Sequence, residues 1–220
     1  MSAPCLSGLQ RHLERIYEIE VACDVGQFII SDADLVGSLE QGAHTRGVSE
    51  KLLVCEQEDD LCLSLYLDPC VLNVLVENDP LDDLNDGNLA AFCTALEGVS
   101  HFLYLAWNAN YGRGVSLFEL ELQAEVDKFV AAVFLLARQR HLRVPREIHE
   151  RLFANPVFDH QLEDAELRRY RHANHFAGLY CGRLRRRYLL NRSAGLVKDL
   201  RRFYRLTHRH KLDHIRARAA

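Results

Sequence analysis

Two long helical patterns meeting at a four-residue break limit this chain more than any other feature. Between residues 88 and 110, Leu89, Phe92, Leu96, Val99, Leu103 and Ala106 recur at three- and four-residue steps. The opposite side (Ala90, Thr94, Gly98, Leu105) is small or apolar rather than charged, and a helix apolar nearly all round belongs in an interior. Tyr111-Gly112-Arg113-Gly114 breaks the pattern. Ser116 then stands three residues before Glu119, the spacing of a capping box. It opens a helix over 116–140 with its seam at Phe118, Leu122, Val126, Phe129, Val133 and Leu136. A chain with two such segments at its centre is built around helices.

The flanking segments fit that frame. Leu6, Leu9, Leu13 and Ile16 predict an amphipathic helix over 6–20. Residues 21–30 mix β-branched and aromatic side chains and read as a strand, whereas 31–50 are rich in turn residues. KLLVCEQ and LCLSLYL, on either side of Glu58-Asp59-Asp60, predict a β-hairpin. Pro69 is placed to open a short helix through residue 77. A short helix near 145–153, a long one from a cap at Asp164 to about residue 190, and a last one from Ser193 complete the chain. The expected class is α+β and predominantly helical, a helix bundle with a small N-terminal antiparallel β element. Residues 1–85 are expected to form the α/β portion and 86–220 the bundle, together one compact unit.

Composition removes several classes. Of the 220 residues 48% are apolar and 26% charged, which is globular rather than disordered. The seven cysteines are odd in number and include no C-x-x-C pair, so neither a disulfide framework nor a structural zinc site is indicated. Cys55 and Cys62 flank the hairpin turn and are placed to face each other, though reduced core thiols are the expectation. Arg11, Glu14, Arg15 and Glu18 interrupt any signal-peptide core, and residues 88–107 carry Asn88, Glu97 and His101 within their apolar run. A cytosolic protein without a membrane partner is expected.

Charge is unevenly laid out. Residues 1–137 hold 6 Lys and Arg against 23 Asp and Glu, and residues 138–220 hold 21 against 8. Such a split suits self-complementation, within the chain or between subunits, or an anionic partner (a nucleic acid or a membrane surface) docking on the C-terminal third. Arg183, Arg185, Arg186, Arg187, Arg201 and Arg202 are the candidate anion-binding residues; Tyr188, Phe203 and Tyr204, interleaved with them, fall on helix seams and read as core.

The polar residues on the two central helices are the candidates for chemistry. Glu97 and His101 are four apart and share a face. On the next helix Glu125 lies about 50° and Glu119 about 70° from the seam centre, with Asp127 turned away. Glu97, His101, Glu119 and Glu125 are thus candidate ligands for a divalent metal in a carboxylate/His site between helices 88–110 and 116–140. On helix 164–190, Asn174 is the polar member of an apolar seam and needs a partner, His172 and His175 point outward, and the small residues Ala173, Ala177, Gly178 and Gly182 admit a close neighbour. The principal expectation is a bacterial-type accessory or regulatory protein acting through interaction surfaces. A metal-dependent enzyme and a nucleic-acid-binding protein are the alternatives.

Overall fold

The computed structural model describes residues 3–39, 48–57, 60–141, 144–145, 147–154, 156, 163–191 and 193–217; the turn residues Glu58 and Asp59 lie outside them. The described residues form a predominantly helical α+β fold in two compact units. The first comprises residues 1–12 and 20–113, the second residues 13–19 and 114–220. The division after Arg113 falls in the Tyr111–Gly114 break. The helix over Leu89–Ala109, read from sequence as part of the bundle, therefore shares a unit with the sheet.

In the first unit, the N-terminal part of α1 (Ala3–Tyr17) is followed by a short turn, strand β1 (Ile29–Ile30) and helix α2 (Ala33–Leu39). The hairpin is β2 (Glu50–Gln57) with β3 (Asp60–Leu67), then α3 (Pro69–Glu77) and α4 (Leu89–Ala109). The sheet order is β1-β3-β2; β3 is antiparallel to β2 and parallel to β1, so the β element is mixed rather than wholly antiparallel. The strand expected over 21–30 shrinks to two residues for a local reason. Asp24 accepts from the Gly26 amide at 2.8 Å, and the Gln10 side chain accepts from the Val25 amide at 2.7 Å, winding Val25–Gln27 into a 3-10 turn. Gly98 of α4 is needed where the helix meets the sheet. A Cβ there would lie 2.5 Å from Leu65 Cδ1 and 2.9 Å from Glu50 Cγ. By length and composition α4 is apolar enough to cross a membrane, and 67% of its apolar window is buried inside the protein.

The second unit is helical: residues 13–17 of α1, α5 (Leu117–Gln139), α6 (Ile148–Phe153), α7 (Asp164–Leu184), α8 (Leu196–Tyr204) and α9 (His208–Arg216). Ser116 and Glu119 form the reciprocal capping box that starts α5. Helix α7 begins one residue earlier than expected, with Glu163 rather than Asp164 at the cap position. Past Leu184 it widens into a π turn over Arg185–Leu190, closed by the Asn191 amide donating to Arg186 O at 3.3 Å. The single last helix expected from Ser193 is two helices. Gly195, at φ 107°, starts α8 in a conformation that favours glycine, and the chain turns again at Thr207 to begin α9.

Candidate functional site

Helix α5 carries several buried polar groups of the second unit, and it is packed on more than one side. Glu125 faces α7: its carboxylate accepts from Asn174 Nδ2 at 3.0 Å and from Lys128 Nζ at 2.6 Å, leaving its side chain 14% exposed. Asn174 thereby finds the partner its place in an apolar seam required. Two residues on, at about 200° of helical rotation, Asp127 is 1% exposed. This corrects the expectation that Asp127 turns away. One seam does not describe a helix enclosed on two sides.

Asp127 belongs to a buried polar chain. Tyr17 donates its phenolic proton to Asp127 Oδ1, and Gln123 Nε2 donates to the same oxygen at 2.7 Å. Burial, and then the Asp127 charge, raise the Tyr17 phenol well above its ordinary value, so it remains a donor. The Lys211 ammonium, with no exposed surface, donates to Gln123 Oε1 at 2.5 Å and stands 5.1 Å from the centre of the Phe203 ring. The Tyr17 ring stacks on Tyr204 at 4.1 Å.

A second polar centre lies on α8. Asp199 Oδ2 accepts from Tyr188 OH at 2.9 Å, and Oδ1 is 3.2 Å from His214 Nε2 and 3.4 Å from Tyr180 OH. Burial raises the Asp199 carboxyl. Hydrogen bonds from His214 and Tyr188, with the positive charges of His214 and Arg183, outweigh that effect and hold it down to about 2.

The candidate metal ligands divide between the units. On α4, His101 is buried with Nδ1 3.6 Å from Glu50 Oε1, and Glu97 is half-buried. On α5, Glu119 is committed to the cap of Ser116 and Glu125 to Asn174 and Lys128. The candidate arginines divide as well. Arg183 Nη1 donates to His214 O at 3.1 Å and Ile215 O at 3.4 Å, at the end of α9. Arg201 donates from Nε to Ile16 O at 3.1 Å and from Nη1 to Glu18 Oε2 at 2.7 Å. Arg205, outside the candidate set, donates to the carbonyls of Tyr17 and Glu18, each at 3.0 Å. These three guanidiniums cap helix C-termini, where cations are favoured. Arg185 is half-buried, and Arg186, Arg187 and Arg202 are exposed. Tyr188, Phe203 and Tyr204 are buried, as their seam positions required.

A groove of about 460 Å³ runs between α6 and α7. Its floor is set by glycine. His149 Nε2 donates to Gly178 O at 2.9 Å, a Cβ at Gly182 would lie 3.1 Å from that nitrogen, and one at Gly178 would lie 3.4 Å from Phe153. The thinness of α7 thus admits the imidazole and phenyl of α6. Phe153 and Leu179 give the groove apolar walls, Arg186 gives it a cation, Glu150 a carboxylate and His175 an imidazole. Leu179 is 44% exposed. Upstream on the same helix Arg168, Arg171 and His172 are exposed, and His175 points outward as expected. The groove escaped sequence reading because α6 is only six residues long; the glycine steps on α7 were its one visible trace. Comparisons with protein families, with curated proteins and with solved structures find no match to this chain.

Proposed function

We propose that the protein is an interaction protein whose helical unit receives an acidic segment of a partner protein along the outer face of α7 and the α6–α7 groove. The observation that carries this reading is the groove itself, with apolar walls at Phe153 and Leu179 and the Arg186 guanidinium along it, beside the His175 imidazole and one acidic group, Glu150. Upstream on α7, Arg168, Arg171 and His172 are exposed. The unit holds 23 Lys and Arg against 14 Asp and Glu, while the other holds 4 against 17. A protein segment is favoured over nucleic acid because Tyr188, Phe203 and Tyr204 are buried, which leaves them unavailable for base stacking. Catalysis is the weaker alternative, since Glu119, Glu125 and His101 are engaged by neighbouring protein groups.

The test is a fluorescence-anisotropy titration of the whole chain with two labelled peptides of identical apolar residues, one rich in Glu and Asp and one with Gln and Asn in their place. The acidic peptide binds, its affinity falls with added salt, and Arg171→Glu with Arg186→Glu weakens it at least about tenfold, as loss of rim charges predicts. Equal binding of both peptides, or binding of neither, overturns the reading. A single-stranded RNA bound more tightly than the acidic peptide transfers it to nucleic acid. Stoichiometric iron, manganese or zinc in the purified protein, lost in Glu125→Ala, transfers it to the metal enzyme. Sedimentation at low and high salt identifies the case in which the acidic partner is a second copy.

A further inference from the structure

The hairpin brings Cys55 and Cys62 together in a way that the protein–partner reading does not use. In the antiparallel register of β2 and β3, Cys55 is the direct partner of Cys62. Directly opposed residues share one face of the sheet, with Cα atoms about 4.5–5.5 Å apart. That range falls within the roughly 4.4–6.8 Å that a disulfide spans. Both cysteines are exposed, which overturns the expectation that they are core thiols. The alternation of β3 explains why: Leu63 and Leu65 are buried on the other face, while Cys62 is turned outward. Cys70 is also exposed and, among the described residues, has no cysteine opposite it; the Asp68 carboxylate hydrogen-bonded to it and charged beside it raises its thiol above the ordinary value.

We propose that Cys55 and Cys62 form a reversible dithiol–disulfide site, oxidised by a low-molecular-weight disulfide such as glutathione disulfide. One thiol, as thiolate, attacks a sulfur of the reagent, and one glutathione leaves as thiolate. The second cysteine, as thiolate, attacks the resulting mixed disulfide at the protein sulfur, and the other glutathione leaves. Two electrons pass to glutathione disulfide, and the two protons given up by the cysteines are taken up by the departing thiolates. The Cys55–Cys62 bond closes, holding the two strands in register.

The experiment incubates the folded wild-type chain with glutathione redox buffers of graded ratio, quenches by acid, alkylates and maps the peptides by mass spectrometry. A peptide pair joined Cys55 to Cys62, lighter by two hydrogens and restored by dithiothreitol, is the expected product. Cys55→Ser and Cys62→Ser each abolish it and instead accumulate a glutathione adduct on the remaining cysteine. Circular dichroism confirms that each variant is folded, and the wild-type map decides the matter without them. The proposal is overturned if Cys55 and Cys62 stay reduced while Cys70 is modified. It is equally overturned if both carry stable glutathione adducts without closing, or if the bond joins another pair.

Discussion

Lys211 Nζ, wholly withdrawn from solvent, donates to Gln123 Oε1 at 2.5 Å, and Gln123 Nε2 donates in turn to Asp127 Oδ1 at 2.7 Å. One amide side chain thus links a buried cation to a buried anion, using its acceptor for one and its donor for the other. An interior ammonium and carboxylate are each costly alone and tolerable together.

Removal of either charge by itself is therefore expected to cost more than removal of both. Lys211→Met should destabilise the protein by about 3 kcal/mol, since it removes the buried cation that offsets the Asp127 charge. The double substitution with Asp127→Asn should recover a substantial part of that loss. Urea unfolding of the two single variants and the double variant gives the coupling directly, and simple additivity would show that the two charges do not compensate each other.

Acid should act on the second unit through Asp199. Its folded value of about 2 lies below the ordinary 3.8, so the stabilisation it contributes is present in full above about pH 4 and fades as pH falls toward 2. A depression of that size corresponds to about 2 kcal/mol. Asp199→Asn should be less stable than wild type by that order at pH 6, and the two should converge near pH 2. A stability difference unchanged between those limits would mean that the carboxylate charge is not what His214 and Tyr188 hold.

What sequence reveals here is whatever its own neighbourhood decides. Ser116 and Glu119 are three apart and make the cap that spacing implies; Pro69 opens α3; Asn174, polar in an apolar seam, does find a partner. What stayed hidden is set by segments far along the chain. Asp127 was misread because a seam drawn for one packed face ignores a second, which Tyr17 supplies from 110 residues away. Arg183 and Arg201 read as candidate anion-binding residues, yet they cap the ends of α9 and α1, as Arg205 also does for α1, and nothing in their own helices announces it. The buried Lys211 sits in a segment whose composition is that of a surface helix. The groove depends on a six-residue helix too short to carry a periodic signal.

Two glycines should respond oppositely to the same substitution. Gly98→Ala would place a methyl 2.5 Å from a fully buried leucine and 2.9 Å from the Glu50 stem, an overpacking that costs about 1–3 kcal/mol and outweighs the gain in helix propensity. Gly178→Ala meets Phe153 no closer than 3.4 Å, so the propensity gain should leave it neutral to slightly stabilising, by up to about 1 kcal/mol. Thermal unfolding of both variants checks the pair, and a stable Gly98→Ala protein would show that Leu65 can yield.

The division of the arginines into capping and exposed groups yields the last expectation. Arg201 reaches a backbone carbonyl at Ile16, so Arg201→Ala leaves the end of α1 with one donor fewer and should cost about 1 kcal/mol. Its contact with the exposed Glu18 adds little, because a pair at the surface is screened. Arg202, next in sequence and turned to solvent, should change stability by less than about 0.5 kcal/mol when replaced by alanine. High salt should leave most of the Arg201 effect intact, since a hydrogen bond to a carbonyl does not depend on a countercharge. Denaturant titrations of the two neighbours at low and high ionic strength test this; equal costs, or an Arg201 cost that salt abolishes, would place that guanidinium on the solvated face with Arg202.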